Sequence, residues 1–375
     1  MNEPFVLLGV ALSGFGAALG LYFAAAALLG RSAGAARVFL AAFCACFALL
    51  MLGDIADAAI ARDPSHWSGN ALDWVFLLLP PLFYFYVFSL IAGEPPRAAK
   101  VLTAFAPAAL YLLWWAGQVV ATRGVATAAA GDDFMPASYT LSFVGVAAML
   151  LLAYGVAALL LVRRHASQIK QQYSAVQGIN LAWVQALIAA AAMGAVVWLA
   201  GIFIQHPVWV LVSAAVPIAL MLLLGVWALR QAPLQATLPT QAALDEPAPA
   251  AAKYAKSGLD APRMQALAAQ LEAFMANEKA FLEGDLTLGE LSRRINAPPH
   301  QLSQLLNQHL GCSFFDYISA LRVGEAQRCL TDPAYRSQTV LEIGLAAGFN
   351  SKAAFNSAFK RHTGTTPSSY RTRAP

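Results

Sequence analysis

The chain has 375 residues, enough for two or three domains, and carries a formal net charge of +4. Charged residues make up 12% of it and hydrophobic residues 59%, with a mean hydropathy of +0.58, whereas soluble domains carry about 25% charged residues. This composition excludes a wholly water-soluble protein. Residues 1–230 contain 10 Lys and Arg and 8 Asp and Glu, while the much shorter segment 256–375 contains 13 and 10. We therefore predict a membrane region followed by a soluble domain.

The predicted membrane region covers residues 1–230. A helix needs about 20 apolar residues to cross a bilayer, and seven stretches of this region meet or approach that length. They run over 5–29, 38–60, 71–92, 101–121, 139–162, 180–204 and 207–229. We predict a seven-helix transmembrane bundle that senses a signal and has the lipid bilayer as a partner.

The basic residues between these stretches predict the orientation of the bundle, because Lys and Arg concentrate in cytoplasmic loops. One side carries Arg62 and Arg123, whereas the other carries eight basic residues: Arg31, Arg37, Arg97, Lys100, Arg163, Arg164, Lys170 and Arg230. With seven crossings, the N-terminus is expected outside and the C-terminal domain in the cytoplasm. The expected location is a cell membrane that the chain crosses several times.

Three acidic residues lie near the predicted outer ends of helices: Asp54, Asp57 and Asp73. Charge inside a bilayer is costly, so such groups usually face a cavity or a partner. One interpretation is a signal-binding site that opens to the outside. The alternatives are contact with headgroup water, pairing with Arg62, or the acidic pair of an intramembrane protease.

Residues 231–259 are predicted to form a linker between the two regions. They are rich in Ala, Pro and Gln, and four prolines interrupt any continuous helix: Pro233, Pro239, Pro247 and Pro249. We expect a semi-flexible tether rather than a rigid helical rod.

The soluble domain contains the same pattern twice, 52 residues apart. Thr287 is followed three residues later by Glu290, and Thr339 is followed three residues later by Glu342. In a capping box of this spacing, the threonine caps the helix start and the glutamate reaches back to the cap residue. Both patterns therefore predict the beginning of a helix.

Each predicted helix leads into a sharp turn and a second helix. Asn296 and Gly348 occupy the turns, and both residue types tolerate the left-handed backbone that a tight turn requires. After the turn, apolar residues recur 53 residues apart, as in Leu302 and Phe355. A helix, a sharp turn and a helix with one apolar face form the helix-turn-helix plan.

The expected fold class is all-α. The seven-helix transmembrane bundle is followed by a seven-helix soluble domain over residues 260–375. That domain contains two helix-turn-helix units, at about 287–310 and 339–363.

The same residues carry a family resemblance. The segment GFNSKAAFNSAFKRHTGTTPSSYR (348–371) resembles the second-unit signature of the AraC/XylS family, and LGELSRRINAPPHQLSQLLNQHLGCSFFDYI (288–318) fits the first unit. The resemblance covers 260–373, about 30% of the chain, and implies the DNA-binding domain of a bacterial transcription regulator. Many members carry a soluble sugar-binding domain outside it. This chain is similar instead to the less common members with several N-terminal transmembrane helices.

The resemblance implies that the second helix of each unit enters the major groove and reads base edges. In the first unit the expected base-reading residues are His300, Ser303, Gln304 and Asn307. In the second unit they are Lys352, Ala353, Asn356 and Ser357.

Basic residues of the domain are expected to contact DNA phosphates: Arg322, Lys360, Arg361, Arg371 and Arg373. From residue 322 to the end there are eight Lys and Arg against three acidic residues. Because phosphate attraction supplies much of the affinity for DNA, we expect the second unit to be the stronger anchor.

The sequence contains no Walker loop, dinucleotide fingerprint, H-E-x-x-H motif or nucleophile elbow. We therefore expect no enzyme activity, no cofactor and no metal site. The main interpretation is a one-component sensor and regulator whose partners are double-stranded promoter DNA, RNA polymerase, an unknown signal ligand and a second copy of the chain. The alternatives are a transporter that carries a regulatory DNA-binding domain and an intramembrane enzyme.

Overall fold

The structure is a computed structural model that describes residues 3–30, 34–60, 72–123, 137–175, 181–203, 208–230 and 260–373. These residues form helices and no named strand, which confirms the predicted all-α class. The chain divides into two compact units. The first contains Met1–Arg163 with Leu181–Asp245, and the second contains Arg164–Asn180 with Glu246–Pro375.

Eight helices occupy the described residues up to 230. They are α1 (Glu3–Leu29), α2 (Gly34–Ile60), α3 (Asp73–Phe76), α4 (Leu79–Ala92), α5 (Ala98–Arg123), α6 (Ala137–Gln172), α7 (Ala182–Phe203) and α8 (Val208–Arg230). Within the described residues, five segments are long and apolar enough to cross a membrane: Pro4–Leu29, Gly34–Ala56, Asp73–Ala92, Ala98–Gly117 and Ser142–Gln172. The last two predicted spans contain shorter apolar helices, Ala182–Val197 and Ala214–Arg230.

Two of these elements differ from the prediction. The third predicted span is broken after Phe76 and resumes at Leu79, and Pro80 and Pro81 lie in the first turn of α4. Proline is accepted there because the first backbone N–H groups of a helix have no intrahelical partner. The other difference is α6, which continues ten residues beyond the apolar stretch predicted to end at 162.

Close contact between α1 and α2 depends on small residues. A Cβ at Gly20 would approach the Cβ of Ala48 and the carbonyl oxygen of Cys44 to 2.9 Å each. Small residues of this kind let the backbones of apolar helices approach closely. Between the same two helices, the buried Ser13 hydroxyl donates a hydrogen bond to Asp54 Oδ2 at 3.3 Å.

The second compact unit contains the C-terminal end of α6 from Arg164 and, in the described residues from 260, seven further α-helices. They are α9 (Ala261–Glu278), α10 (Leu288–Arg294), α11 (Pro299–Gln304), α12 (Phe314–Thr331), α13 (Val340–Ala346), α14 (Lys352–Thr363) and α15 (Pro367–Arg373). Short 3₁₀ turns lie at Ala280–Leu282 and Pro333–Tyr335, and a π turn at Leu305–His309 continues α11.

Helix α12 contributes to two separate cores. Its first half, with Phe314 and Ile318, packs into a cluster with residues of α9, α10 and α11. Its second half, with Val323 and Leu330, packs into a cluster with residues of α13 and α14. One long helix therefore packs against both pairs of short helices: the first pair, α10 and α11, and the second pair, α13 and α14.

Candidate nucleic-acid interface

The first helix of the second pair, α13, has the predicted capping box. The Thr339 Oγ1 accepts from the backbone N–H of Glu342 at 3.1 Å, and Glu342 Oε2 accepts from the backbone N–H of Thr339 at 2.6 Å. Hydrogen bonding from Thr339, above all from its backbone N–H, holds the pKa of the Glu342 carboxyl below its usual range. Two backbone donors at the helix start are thus satisfied reciprocally.

The turn between α13 and α14 requires glycine. Gly348 has φ +91°, in the left-handed region, and a Cβ there would approach the carbonyl oxygen of Leu282 to 2.7 Å. Gly344, on α13, lies directly against the ring of Phe355 on α14. The absence of a side chain at Gly344 lets the two helices cross at short range, and its absence at Gly348 lets the turn approach the backbone of Leu282.

Helix α14 presents the predicted base-reading residues of the second unit on one exposed face. Ser351 caps its start by accepting from the backbone N–H of Ala354 at 3.2 Å. Phe355 and Phe359 lie in the core at 1% and 0% exposure. The four predicted base-reading side chains are all exposed: Lys352, Ala353, Asn356 and Ser357. This arrangement gives a capped, regular helix with a free polar face.

The two predicted phosphate contacts of α14 differ in their surroundings. Lys360 is exposed. The Arg361 guanidinium instead lies 3.1 Å from Asp316 Oδ1 and 5.2 Å from the centre of the Phe315 ring, both on α12. Arg361 therefore also fastens α14 to α12.

The first helix pair differs from the second in the capping box at the start of α10. Thr287 Oγ1 accepts from the backbone N–H of Glu290 at 3.2 Å, as predicted. The Glu290 carboxylate, however, accepts from Arg294 at 2.9 Å. Arg294 also hydrogen-bonds to Glu283, which holds the pKa of that carboxyl below its usual range. The capping box is therefore half formed, because an arginine four residues on competes for its glutamate.

The second helix of the first pair is irregular. It begins after Pro298 without a side-chain cap, and from Leu305 it continues as a π turn that closes with a bond from the Leu310 N–H to the Leu305 carbonyl. His300 is exposed on it. Asn307 donates to the carbonyl of Ser303 at 2.8 Å and to its hydroxyl at 3.2 Å. These two predicted base-reading residues are half-buried and bonded to each other.

Gln304 is not on the exposed face, so the prediction that it reads bases is corrected. Its side chain is 7% exposed, between Leu302 and Leu305 in a helix whose apolar face is broad. The Gln304 amide donates to Gln308 Oε1 at 2.9 Å. Partnered polar groups can be buried at little cost, and helical spacing alone does not reveal such a partner.

Arg322 is likewise not at the surface, so its predicted phosphate contact is wrong. It is 2% exposed. Its Nε donates to the Phe281 carbonyl at 2.6 Å and its Nη2 to the Glu283 carbonyl at 2.7 Å. Burial lowers the pKa of the Arg322 guanidinium to about 10, although the charge of Asp285 acts in the opposite direction. Arg322 is a structural residue because backbone carbonyls occupy its donors.

Arg371 also donates to backbone carbonyls: those of Gln338 and Arg336 at 2.6 Å each, and that of Tyr335 at 3.3 Å. Arg371 therefore binds the backbone of the segment that precedes α13. We do not include it among the proposed phosphate contacts. The side chain of Arg373 lies outside the described residues.

Of the three acidic residues of the predicted signal site, the structure describes the side chains of two. Asp54 is exposed and accepts from Ser13. Asp73 is half-buried at the start of α3. The side chain of Asp57 lies outside the described residues, as does the predicted linker over 231–259.

Sequence reasoning missed the role of residues 173 and 174, which follow α6. Tyr173 forms an isolated antiparallel bridge with Thr287, and Ser174 is 2% exposed. The sequence offered one signal, because residues 163–172 can continue the helix that precedes them. Their polar composition is also typical of a loop, and the segment was interpreted as a loop.

Residues 291–373 match the family model described as a helix-turn-helix domain. This match confirms the predicted resemblance: the C-terminal region is a helix-turn-helix domain of the AraC type. No solved structure is significantly similar to the chain.

Curated relatives match part of the chain. An uncharacterised HTH-type transcriptional regulator of Staphylococcus aureus (strain COL) is 35% identical over 91 residues, which are 24% of this chain and 12% of the relative. The HTH-type transcriptional regulator GlxA of Rhizobium meliloti (strain 1021) is 32% identical over 104 residues, 28% of this chain and 31% of the relative. The chain thus spans about an eighth of the staphylococcal relative's length and under a third of GlxA's. Both relatives are named as HTH-type transcriptional regulators.

Proposed function

We propose that the chain is a membrane-anchored transcription regulator that binds promoter DNA in a sequence-specific manner. The observation that carries the proposal is the exposed face of α14, with Lys352 and Asn356, on a helix-turn-helix pair of the AraC type. A helix of this kind fits the major groove, where lysine and asparagine can recognise guanine and adenine edges. The proposed reading face also includes Ala353 and Ser357.

The first unit contributes fewer base contacts. His300 is exposed at the start of its second helix, and Ser303 and Asn307 are half-buried. Lys360 and Arg361 contact phosphates of the second unit's half-site. Two units on one chain occupy successive major grooves about one helical turn of DNA apart.

The N-terminal region anchors this domain to the inner membrane. Five segments with sufficient length and hydropathy, together with two shorter apolar helices, support a multi-pass arrangement. The excess of Lys and Arg in alternate connecting segments supports a cytoplasmic C-terminus. The membrane helices detect an unidentified signal, and Asp54, Asp57 and Asp73 are its candidate contacts.

The remaining proposed partners follow from this arrangement. A second copy of the chain, joined through the membrane region, raises the affinity for paired sites through effective concentration. RNA polymerase is the partner through which promoter binding changes transcription.

Chromatin immunoprecipitation of the full-length chain, followed by sequencing, tests the proposal. The wild type should enrich a small set of promoter fragments that share a motif. The matched variants are Asn356→Ala, on the reading face, and Ser369→Ala, an exposed position on α15. Enrichment should fall for Asn356→Ala and persist for Ser369→Ala. Uniform recovery of the genome by the wild type would reject sequence-specific binding.

A further inference from the structure

The loop that precedes the first helix-turn-helix unit, residues 281–287, is held from two sides; we refer to it as the central loop. On one side lies the chain that leaves α6. Tyr173 and Thr287 form an antiparallel bridge, the Ser174 N–H donates to the Leu286 carbonyl at 3.2 Å, and the Ser174 hydroxyl donates to the Gly284 carbonyl at 3.4 Å.

The turn of the second unit holds the other side. Gly348 packs against the carbonyls of Phe281 and Leu282, at a distance that excludes a Cβ. Asn350 donates to Asp285 Oδ1 at 2.9 Å. The central loop therefore lies between the end of α6 and the second helix-turn-helix unit.

Arg322 connects the two sides. Its Nη1 donates to the Ser174 carbonyl at 3.3 Å, and its Nη2 donates to the Ser174 hydroxyl at 3.2 Å and to the Glu283 carbonyl at 2.7 Å. Its guanidinium carbon also lies 5.9 Å from the centre of the Phe349 ring, in the second unit's turn. A buried guanidinium needs all its donors satisfied, so the end of α6 completes the arrangement that fixes the two units to each other.

We propose that residues 164–175 are a docking segment through which the membrane region controls how firmly the two helix-turn-helix units are held together. This inference rests on the proposed function. Helix α6 is continuous from Ala137 to Gln172, so the docked residues Tyr173 and Ser174 directly follow the helix that contains the apolar stretch. Withdrawal of Ser174 leaves the Arg322 donors short of acceptors and frees the central loop. The spacing of the units then becomes variable, and binding to two successive grooves weakens because the effective concentration of the second contact falls.

The substitution Ser174→Leu tests the docking, and Ser167→Leu, at an exposed position on α6, is the matched control. Both are measured in the full-length chain in lipid nanodiscs, against a genomic fragment that the wild type enriches. Ser174→Leu should bind roughly tenfold more weakly, and Ser167→Leu should bind as the wild type does. Equal affinity of all three proteins would overturn the docking proposal. Failure of the wild type itself to bind would instead reject the proposed function.

A cross-link tests the docking without relying on binding. Directly opposed residues of an antiparallel bridge have Cα atoms about 4.5–5.5 Å apart, within the range that a disulfide spans. The pair Tyr173→Cys with Thr287→Cys should therefore cross-link in oxidised membranes, and oxidation should not lower the affinity for the same fragment. Ser167→Cys with Thr287→Cys should not cross-link, because Ser167 precedes Tyr173 by about 9 Å at the rise of a helix. A pair at 173 and 287 that stays reduced, or an oxidised form that loses affinity, would contradict the proposal.

Discussion

The two helix-turn-helix units follow one sequence pattern but differ in the regularity of their helices. In the second unit, α13 has a complete capping box, and α14 is capped by Ser351 and ends at Gly364 with φ +76°. In the first unit, the capping box is half formed and the second helix starts after Pro298 and turns into a π turn. The two units have the same spacing of hydrophobic residues, and they differ in the hydrogen bonds and residue types at the ends of their helices.

The difference extends to what each unit offers to DNA. Helix α14 exposes all four of its predicted base-reading side chains, whereas the matching helix buries Gln304 and joins Asn307 to Ser303. The first unit has contacts of another kind, because the central loop that leads into it is bound by Ser174 and Arg322. We infer that the second unit mainly reads DNA and that the first links reading to the rest of the chain.

The largest expected effect concerns the close helix crossing of the second unit. Gly344→Val forces the Phe355 ring out of its place in the core, and overpacking of this kind costs about 1–3 kcal/mol. Hydrogen exchange of α14 amides in the full-length chain measures the loss of protection. Ser292, buried at the equivalent position of the first unit, provides the control Ser292→Ala, which should leave α14 unchanged. Full protection of α14 in Gly344→Val would show that the crossing is not tight.

The next effect separates the two reading helices. A good base contact is worth about 1–3 kcal/mol, so Asn356→Ala should weaken binding to the enriched fragment by about tenfold to a hundredfold. His300→Ala should weaken it by about threefold or less, because the first unit contributes fewer contacts. Titration by fluorescence anisotropy measures both. A larger loss for His300→Ala would reverse the assignment of the two units.

A smaller effect distinguishes the two basic residues of α14. Removing a lysine that contacts phosphate lowers the slope of log affinity against log salt by about 1. Lys360→Ala should do so, whereas Arg361→Ala should change the slope less because Arg361 is paired with Asp316. The same titrations at several salt concentrations measure the slopes. Equal changes for both variants would show that the ion pair opens on DNA.

The smallest effect is the pH dependence of the capping box. The pKa of Glu342 is lowered by hydrogen bonds from Thr339, so its contribution to stability is complete above its usual pKa and is lost as the pH falls through the lowered value. Protection of α13 amides should decline at acid pH in the wild type and change less in Glu342→Gln. Glu290→Gln is the matched control, because the Glu290 carboxylate of the wild type binds Arg294 rather than the backbone of its cap residue. An unchanged acid response in Glu342→Gln would exclude the carboxylate as its source.

The elements and turns of the C-terminal domain could be predicted because their determinants are local. Threonine caps, the left-handed turn residues Asn296 and Gly348, and apolar spacing lie within a few residues of each helix. The partners of Arg322 and Gln304 could not be predicted in this way. Arg322 binds carbonyls about forty residues away and Ser174 at a separation of 148 residues, and no sequence pattern distinguishes such an arginine from one at the surface.

The membrane region shows the same limit. Apolar length identified its helices, but it ended α6 at 162, where the polar residues begin. The helix continues to Gln172, because the side chains of His165 and Ile169 are buried there at 1% and 2% exposure. Burial of a mostly polar segment leaves little trace in hydropathy.

The most direct test of the account is the binding of the full-length chain, in lipid nanodiscs, to an enriched fragment and to a scrambled duplex across a range of salt concentrations. We predict a preference of at least about a thousandfold for the enriched fragment and an affinity that falls steeply with salt, by about 0.9 in log slope for each phosphate contacted. Equal affinity for both duplexes, or binding that salt does not weaken, would contradict the claim that a membrane-anchored chain reads DNA through α14.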